Sequence, residues 1–285
     1  MCDEATLREM REYRRRHPEL TRREFGALGI GAGLAALLPA AAPAAETTAQ
    51  EVSIPTPDGS CDAYFAYPAQ GTHPGVLMWP DIFGLRPAFK QMGRRLAESG
   101  YAVLVVNPFY RIEKAPADTD PAATERRMHP ANFTPEQELS DAKAFIGWLD
   151  GQAAVDRGRK VGTAGYCMSG PFTLRTAAAA PERVGAGASF HGGGLVTDKP
   201  DSPHLLVPRI HARYLFAIAA SDDAKEPNTK TVLREAFVKA HLPAEIEVYP
   251  GTVHGWCPID SDGYNPEQAE RAWARMLALF KSALG

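Results

Sequence analysis

The chain has 285 residues, of which 45% are hydrophobic and 23% are charged, and its formal net charge is −3. This is an ordinary globular composition, and the length suffices for one large α/β domain. This slightly negative net charge lacks the excess of basic residues that is typical of a nucleic-acid-binding protein. The four cysteines, at positions 2, 61, 167 and 257, form no CxxC pair and no metal-type spacing. We therefore expect neither a metal nor a cofactor.

The first 45 residues differ in composition from the rest of the chain. Residues 1–26 hold seven arginines and six acidic residues, whereas the stretch from Ala27 to Ala45 carries no charge. This stretch is too short and too rich in Gly and Ala to indicate a membrane span. A charged segment, a modest apolar core and the small residues Ala42-Pro43-Ala44 together resemble an export signal.

The segment Thr21-Arg22-Arg23-Glu24-Phe25 stands directly before the apolar core and resembles the twin-arginine motif of bacterial folded-protein export. We expect residues 1–45 to be a signal and 46–285 to be the folded domain, with the mature chain beginning near Ala45 or Glu46. The expected location is the periplasm, after transient contact with the twin-arginine translocation machinery. A surface helix with a chance Arg-Arg pair and a retained N-terminal anchor remain open alternatives.

From Glu51 onward, strand patterns alternate with helix patterns. A β-hairpin is predicted around Pro57-Asp58-Gly59. Buried strands are predicted at 75–79, 101–106, 160–164, 184–191, 214–219 and 244–249. Helices are predicted at 87–98, 171–180 and 229–240, and after the capping residues Thr134 and Asn265, with a long connection at 107–133. This alternation predicts an α/β fold with a mostly parallel central sheet and helices on both faces.

The segment Gly165-Tyr166-Cys167-Met168-Ser169-Gly170 joins a predicted strand to a predicted helix. A nucleophile at such a turn is typical of α/β-hydrolases, where the usual pattern is Gly-x-Ser-x-Gly. Here Cys167 occupies the nucleophile position and Ser169 the position of the second Gly. The N–H of Met168, at the start of the new helix, is a candidate donor to an oxyanion. The ordinary alternative is that Cys167 is a small buried hydrophobic residue.

A cysteine nucleophile requires a base and a group that orients the base. Asp222 and His254 each follow a predicted strand, and in parallel sheets the site lies beyond the carboxyl ends of the strands. Their order after Cys167 is that of α/β-hydrolases. We predict Cys167 as nucleophile, His254 as base and Asp222 as orienter, with Asp223 as the alternative orienter. A solvated acidic loop and an ordinary turn histidine are the competing interpretations.

Further residues are expected beside these three. The loop after the first buried strand carries Asp81 and Ile82, and the N–H of Ile82 is the expected second oxyanion donor. His191 begins a His-Gly-Gly-Gly segment similar to a lipase oxyanion motif, but this segment follows the nucleophile instead of preceding it. We therefore expect His191 only to line the pocket, together with Tyr166 and Trp256.

Several segments resemble the dienelactone hydrolase family, whose type activity is carboxymethylenebutenolidase. They cover most of residues 51–285 and are Asp81-Ile82-Phe83-Gly84, Asn107-Pro108-Phe109-Tyr110-Arg111, Gly165-Tyr166-Cys167, Ala219-Ala220-Ser221-Asp222 and Tyr249-Pro250-Gly251-Thr252-Val253-His254. The resemblance implies an α/β-hydrolase fold, a Cys-Asp-His triad and a small-molecule lactone or ester as substrate. A monomer is favoured.

Two positions depart from the family pattern. A Glu of the family, which contacts the nucleophile in the resting enzyme, is replaced here by the shorter Asp81. Two arginines commonly grip the substrate carboxylate in the type enzyme. Arg111 resembles one of them, with a structural ion pair as the alternative, and Pro258 occupies the position of the other. These differences weaken the case for dienelactone itself as the substrate.

Other functions remain open at the level of the sequence. A general carboxylesterase or thioesterase is the nearest alternative. A non-catalytic exported protein or a thiol-redox protein, in which Cys257 reaches Cys167, belongs to a different class. The sequence also leaves open whether Cys61 and Cys257 form a disulfide, which an oxidising compartment would permit.

Overall fold

The structure, a computed structural model, describes residues 4–18, 45–116, 121–127 and 133–285. The predicted twin-arginine motif and almost all of the uncharged stretch after it lie outside these ranges, so the export signal stays a prediction. Within the described ranges, no helix is both long enough and apolar enough to cross a membrane.

Eight strands in the described ranges form one sheet in the order β1-β2-β4-β3-β5-β6-β7-β8. Their bounds are β1 Thr47–Thr56, β2 Gly59–Pro68, β3 Gly75–Trp79, β4 Ala102–Val106, β5 Val161–Tyr166, β6 Val184–Phe190, β7 Arg213–Ala219 and β8 Ala244–Tyr249. β1 pairs with β2 and β2 with β4 in antiparallel fashion, and every other neighbouring pair is parallel. The carboxyl ends of β3 and of β5 to β8 therefore meet at one edge of the sheet.

Helices lie between and beyond these strands. Their bounds are α1 Glu4–Arg16, α2 Pro87–Glu98, α3 Pro121–Arg127, α4 Pro135–Asp150, α5 Gly170–Ala179, α6 Ala220–Lys225, α7 Thr229–Lys239 and α8 Pro266–Ala283. The predicted caps are present: the side chain of Thr134 accepts from the N–H of Gln137, and that of Asn265 accepts from the N–H of Gln268. Each cap satisfies an N–H that has no partner inside its helix.

The core is divided by the sheet into two apolar layers. One layer contains Phe145 of α4, Leu174 of α5 and Phe237 of α7. The other contains Phe89 of α2 and Met276 of α8. Strands β3 and β4 are buried throughout, which explains their continuous apolar sequence. The predicted mostly parallel sheet with helices on both faces is confirmed.

Three elements differ from the sequence-based prediction. The long connection at 107–133 contains α3, and the segment after β6 contains a 3₁₀ helix at Pro203–Arg209. α6 begins immediately after β7, so Asp222 lies in the first turn of a helix instead of a loop. Helix α1 lies within residues 1–45, the segment that the sequence predicts to be an export signal. Its residues Thr6 and Met10 are buried.

Candidate active site

The turn between β5 and α5 places Cys167 in a strained backbone conformation. Its φ is 57°, in the left-handed region that side chains other than Gly rarely adopt. The turn is tight, because a Cβ added at Gly165 would lie 2.2 Å from the carbonyl oxygen of Ser169. Only glycine therefore fits at position 165, as the predicted elbow requires.

Ser169, which replaces the usual second glycine of the elbow, ties the turn to the neighbouring strand. Its hydroxyl accepts from the N–H of Tyr166 at 2.9 Å and donates to the carbonyl oxygen of Trp79 at 2.7 Å. Trp79 ends β3 and leads directly into the Asp81–Ile82 loop. The serine thus links the two loops that carry the candidate oxyanion donors, a role that the sequence alone did not reveal.

Cys167, His254 and Asp222 form one continuous contact chain. Nε2 of His254 lies 3.1 Å from Sγ of Cys167, and Nδ1 lies 2.8 Å from Oδ2 of Asp222. The backbone N–H of His254 donates to the hydroxyl of Ser221 at 3.1 Å, which holds the loop after β8 against the start of α6. The three predicted residues are therefore brought together from three separate strand ends.

Asp223, the alternative orienter, points to a different partner. Its two carboxylate oxygens lie 2.5 and 2.7 Å from Nζ of Lys230 in α7. The geometry therefore favours Asp222 over Asp223 as the partner of His254.

The charges around His254 favour its protonated form. Burial by itself lowers the pKa of His254. The negative charge of Cys167 and the hydrogen bond with Asp222 raise it, and their combined effect is larger, so the resulting pKa is about 10. His254 is only 4% exposed, so water screens these interactions weakly. A negative charge on Cys167 and the carboxylate of Asp222 thus stabilise an imidazolium at His254.

The two candidate oxyanion donors belong to residues close to Cys167. Met168 follows Cys167 in the 3₁₀ turn Cys167–Ser169, where the first N–H groups have no partner within the helix. Ile82 is buried in an apolar cluster with Cys167 and Phe109. The candidate donors therefore belong to two segments that both adjoin Cys167.

Asp81 shapes the loop that carries Ile82. Its oxygens pair with the guanidinium of Arg86 at 2.6 and 3.0 Å, and one of them also accepts from the N–H of Phe83. Arg86 binds Asp260 as well. The carboxylate expected to contact the resting nucleophile is thus engaged by an arginine that the sequence analysis did not single out.

Arg127 is a second residue that sequence reasoning missed. It is fully buried, and its guanidinium donates to the carbonyl oxygen of Ile82 at 2.8 Å and pairs with Glu113 at 2.9 Å. It comes from α3, inside the segment predicted as an irregular connection. A buried arginine that binds a loop carbonyl fixes the position of that loop, but nothing in the local sequence signals this contact.

His191, Tyr166 and Trp256 lie behind the triad and are almost completely buried. The ring of His191 packs edge-on against His254, with 5.1 Å between centroids. Its burial and the neighbouring charge of His254 hold the pKa of His191 well below its usual value. Tyr166 stacks on Phe190, and Trp256 stacks on Tyr249. His191 therefore packs against the imidazole of His254, and Tyr166 and Trp256 contact His191 as part of the core.

The glycines after His191 have a local packing role. A Cβ on Gly192 would lie 3.1 Å from Cα of Gly170, and the N–H of Gly193 donates to the carbonyl oxygen of Cys167 at 3.3 Å. The His-Gly-Gly-Gly segment therefore packs against the nucleophile turn.

Arg111 takes part in a network of ion pairs. Its guanidinium pairs with Asp58 at 2.6 Å and with Asp141 at 2.7 Å, and it stacks on the ring of Tyr110. Asp141 is buried and also accepts from the hydroxyl of Tyr110. A substrate carboxylate would have to compete with both aspartates, so the geometry favours the structural alternative for this arginine.

The thiols of Cys61 and Cys257 lie in different apolar layers, on opposite sides of the sheet. They do not form a disulfide. Burial raises the pKa of both thiols, which makes them unreactive. Within the described part of the chain, no cluster of three or more His, Cys, Asp or Glu side chains is arranged to hold a metal ion.

Comparison with known proteins identifies the family to which this chain belongs. The model of the dienelactone hydrolase family matches residues 61–284. Two proteins named "Putative carboxymethylenebutenolidase" are each 30% identical to the chain. The one from Escherichia coli K12 aligns over 85% of this chain and 93% of its own, and the one from Methylorubrum extorquens over 92% and 93%. A crystal structure described as "Putative Dienelactone Hydrolase", from Klebsiella pneumoniae, is 26% identical to the chain and superposes with a TM-score of 0.73. The superposition covers 83% of this chain and 99% of the Klebsiella chain.

The chain belongs to the dienelactone hydrolase family and has the α/β-hydrolase fold. This membership places it among the hydrolases of carboxylic esters and lactones.

Proposed function

We propose that this member of the dienelactone hydrolase family cleaves lactones or esters at Cys167, with His254 and Asp222 as its catalytic partners. The observation that carries the proposal is the contact chain from Sγ of Cys167 through the imidazole to Asp222, with distances of 3.1 and 2.8 Å. The raised pKa of His254 supports it, because that imidazolium stabilises a thiolate.

In the first half of the proposed reaction, the thiolate attacks the carbonyl carbon and a C–S bond forms. The N–H groups of Ile82 and Met168 donate to the oxyanion. The C–O bond to the leaving group then breaks, and the imidazolium of His254 gives its proton to the departing oxygen. In a lactone this oxygen stays attached to the acyl part, so that the ring opens on the enzyme.

In the second half, water attacks the thioester and His254 takes its proton. This is possible because acylation removes the thiolate charge that raised the pKa of His254, so the imidazole becomes a base. The C–S bond breaks, the acid leaves, and the thiolate–imidazolium pair is restored. Thiolate is a weak base and a good leaving group, so activated esters and enol lactones suit this chemistry better than amides.

For the substrate, we propose uncharged lactones or esters over a carboxylate-bearing dienelactone. Arg111 is paired with two aspartates, and Pro258 stands where the type enzyme has its second arginine. A general carboxylesterase or thioesterase activity remains the alternative. Turnover of matched panels of enol lactones, neutral esters, anionic esters and thioesters separates these substrate classes.

The decisive experiment replaces the nucleophile. Cys167→Ala should lower kcat/KM for an aryl ester by about 10³-fold or more, whereas circular dichroism stays unchanged. Cys167→Ser, which replaces the thiol with a hydroxyl of similar shape, is the matched control. Wild-type protein mixed with a slowly deacylating ester should gain the mass of the acyl group on the peptide that contains Cys167. Full activity of Cys167→Ala would remove Cys167 from the mechanism.

We also propose that residues 1–45 direct export through the twin-arginine pathway. The support is the Arg22-Arg23 pair directly before the uncharged segment that begins at Ala27. Cell fractionation and the intact mass of the periplasmic material test this proposal. A full-length product confined to the cytoplasm would refute it, and a full-length product on the membrane would indicate a retained anchor.

A further inference from the structure

The N-terminal helix α1 lies over the apolar side of the proposed site. Leu7 packs against the buried cluster formed by Ile82, Phe109 and Cys167. In this arrangement Cys167 is only 3% exposed. Leu7 therefore adds apolar surface to the cluster that contains the thiol.

α1 also contacts the segments that carry the other two members of the triad. Met10 is buried, and its terminal methyl lies against Gly255, where an added Cβ would be only 2.8 Å away. Gly255 directly follows His254. Oε2 of Glu9 lies 2.7 Å from Nζ of Lys225, the last residue of α6, in which Asp222 lies. One helix thus contacts the cluster that contains the nucleophile and the segments that carry the acid and the histidine.

A fourth contact and the charge pattern complete the docking of α1. The hydroxyl of Tyr13 accepts from Nδ2 of Asn265 at 3.0 Å, beside the start of α8. Arg8 and Arg15 are exposed, and both lie on the side of the helix away from Met10. The spacing of Leu7, Met10 and Tyr13 is that of one helical face, so the helix presents its apolar face to the site and its basic face to water.

We infer that α1 forms the outer wall of the substrate site and that Leu7 limits the size of the acyl group that reaches Cys167. The inference rests on the proposed ester hydrolysis and applies to chains that retain residues 4–16. Because the proposed export segment includes this helix, the intact mass of each preparation is measured first.

The test compares p-nitrophenyl acetate with p-nitrophenyl hexanoate in the full-length chain. Leu7→Ala should raise the hexanoate/acetate ratio of kcat/KM about tenfold, since a few methylenes in an apolar pocket discriminate on this scale. Leu7→Phe should lower the ratio. Arg11→Ala, an exposed position on the same helix, is the matched control and should leave the ratio unchanged.

A second measurement does not depend on ester hydrolysis. The alkylation rate of Cys167 is followed by peptide mass spectrometry with N-ethylmaleimide and with the bulkier N-(1-pyrenyl)maleimide. Leu7→Ala should raise the bulky/small rate ratio about tenfold, because the smaller side chain leaves room beside the thiol, and Arg11→Ala should not. Peptide mapping separates Cys167 from the other cysteines.

The outcomes separate this inference from the proposed function. If the alkylation ratio changes but no ester is cleaved by any variant, the role of Leu7 beside Cys167 is supported and the proposed function is contradicted. If esters are cleaved but both ratios stay the same in Leu7→Ala and Leu7→Phe, the hydrolase proposal stands and the role of Leu7 is overturned.

Discussion

Oδ2 of Asp222 lies 2.8 Å from Nδ1 of His254, whereas the adjacent carboxylate of Asp223 binds Lys230. Two neighbouring aspartates that look equivalent in the sequence thus have different partners. The difference arises because both lie in the first turn of α6, where successive residues point about 100° apart around the axis.

The first prediction concerns these two aspartates. Asp222→Asn should lower kcat/KM by about 10²–10⁴-fold, because the imidazole loses the carboxylate that orients it and supports its positive charge. Asp223→Asn should stay close to wild type in the same ester assay. Equal losses in the two variants would contradict the assignment of Asp222.

The second prediction concerns pH. Because the pKa of His254 is raised to about 10, its imidazolium persists through neutral pH and loses its proton only as the pH rises through about 10. Acylation uses that proton for the leaving group. The kcat/KM for an alkyl ester should therefore fall at high pH with an apparent pKa near 10 that belongs to the Cys167–His254 pair.

The leaving group supplies the control for this pH profile. A p-nitrophenolate departs without a proton, so kcat/KM for the matched aryl ester should fall less at high pH. In Asp222→Asn the fall of kcat/KM for the alkyl ester should move to lower pH, since the variant lacks the carboxylate that helps to raise the pKa of His254. A fall centred near pH 6.5 in the wild type would show that His254 is not stabilised as an imidazolium.

The third prediction concerns the serine of the nucleophile turn. Ser169→Ala leaves the buried N–H of Tyr166 without its acceptor and should lower the free energy of unfolding by about 1–3 kcal/mol. Urea denaturation measures the change. Ser282→Ala, at an exposed helical site, is the control and should change stability by less than about 0.5 kcal/mol. An unchanged stability in Ser169→Ala would contradict the linking role of this hydroxyl.

The fourth prediction concerns Arg111. Arg111→Met leaves the buried Asp141 without its ion-pair partner and should lower stability by about 1–3 kcal/mol. KM should change by the same factor for anionic and neutral esters, since the guanidinium is engaged by protein carboxylates. The double variant Arg111→Met/Asp141→Asn should recover part of the lost stability, because it removes the uncompensated charge. A selective rise of KM for anionic esters would restore Arg111 as a substrate contact.

Much of the site was predictable because its signals are local. Gly165 and Cys167 are adjacent in a turn with a recognisable pattern, and the acid and histidine follow strands whose apolar runs mark them. In a parallel sheet, residues after different strands converge at one edge, so the order of elements was enough to predict that Cys167, His254 and the Asp222–Asp223 pair lie close together.

Other contacts depended on tertiary packing. The pairing of Asp81 with Arg86 and Asp260, the burial of Arg127 beneath the Ile82 loop and the paired state of Arg111 join residues that no periodicity relates. The sequence alone determined the strand–helix order and the turn that raises the thiol, because backbone geometry and burial patterns are encoded locally. Only the tertiary structure decided which carboxylate binds His254 and which helix packs against the cluster around the thiol, because side-chain direction and long-range docking depend on packing between elements distant in the chain.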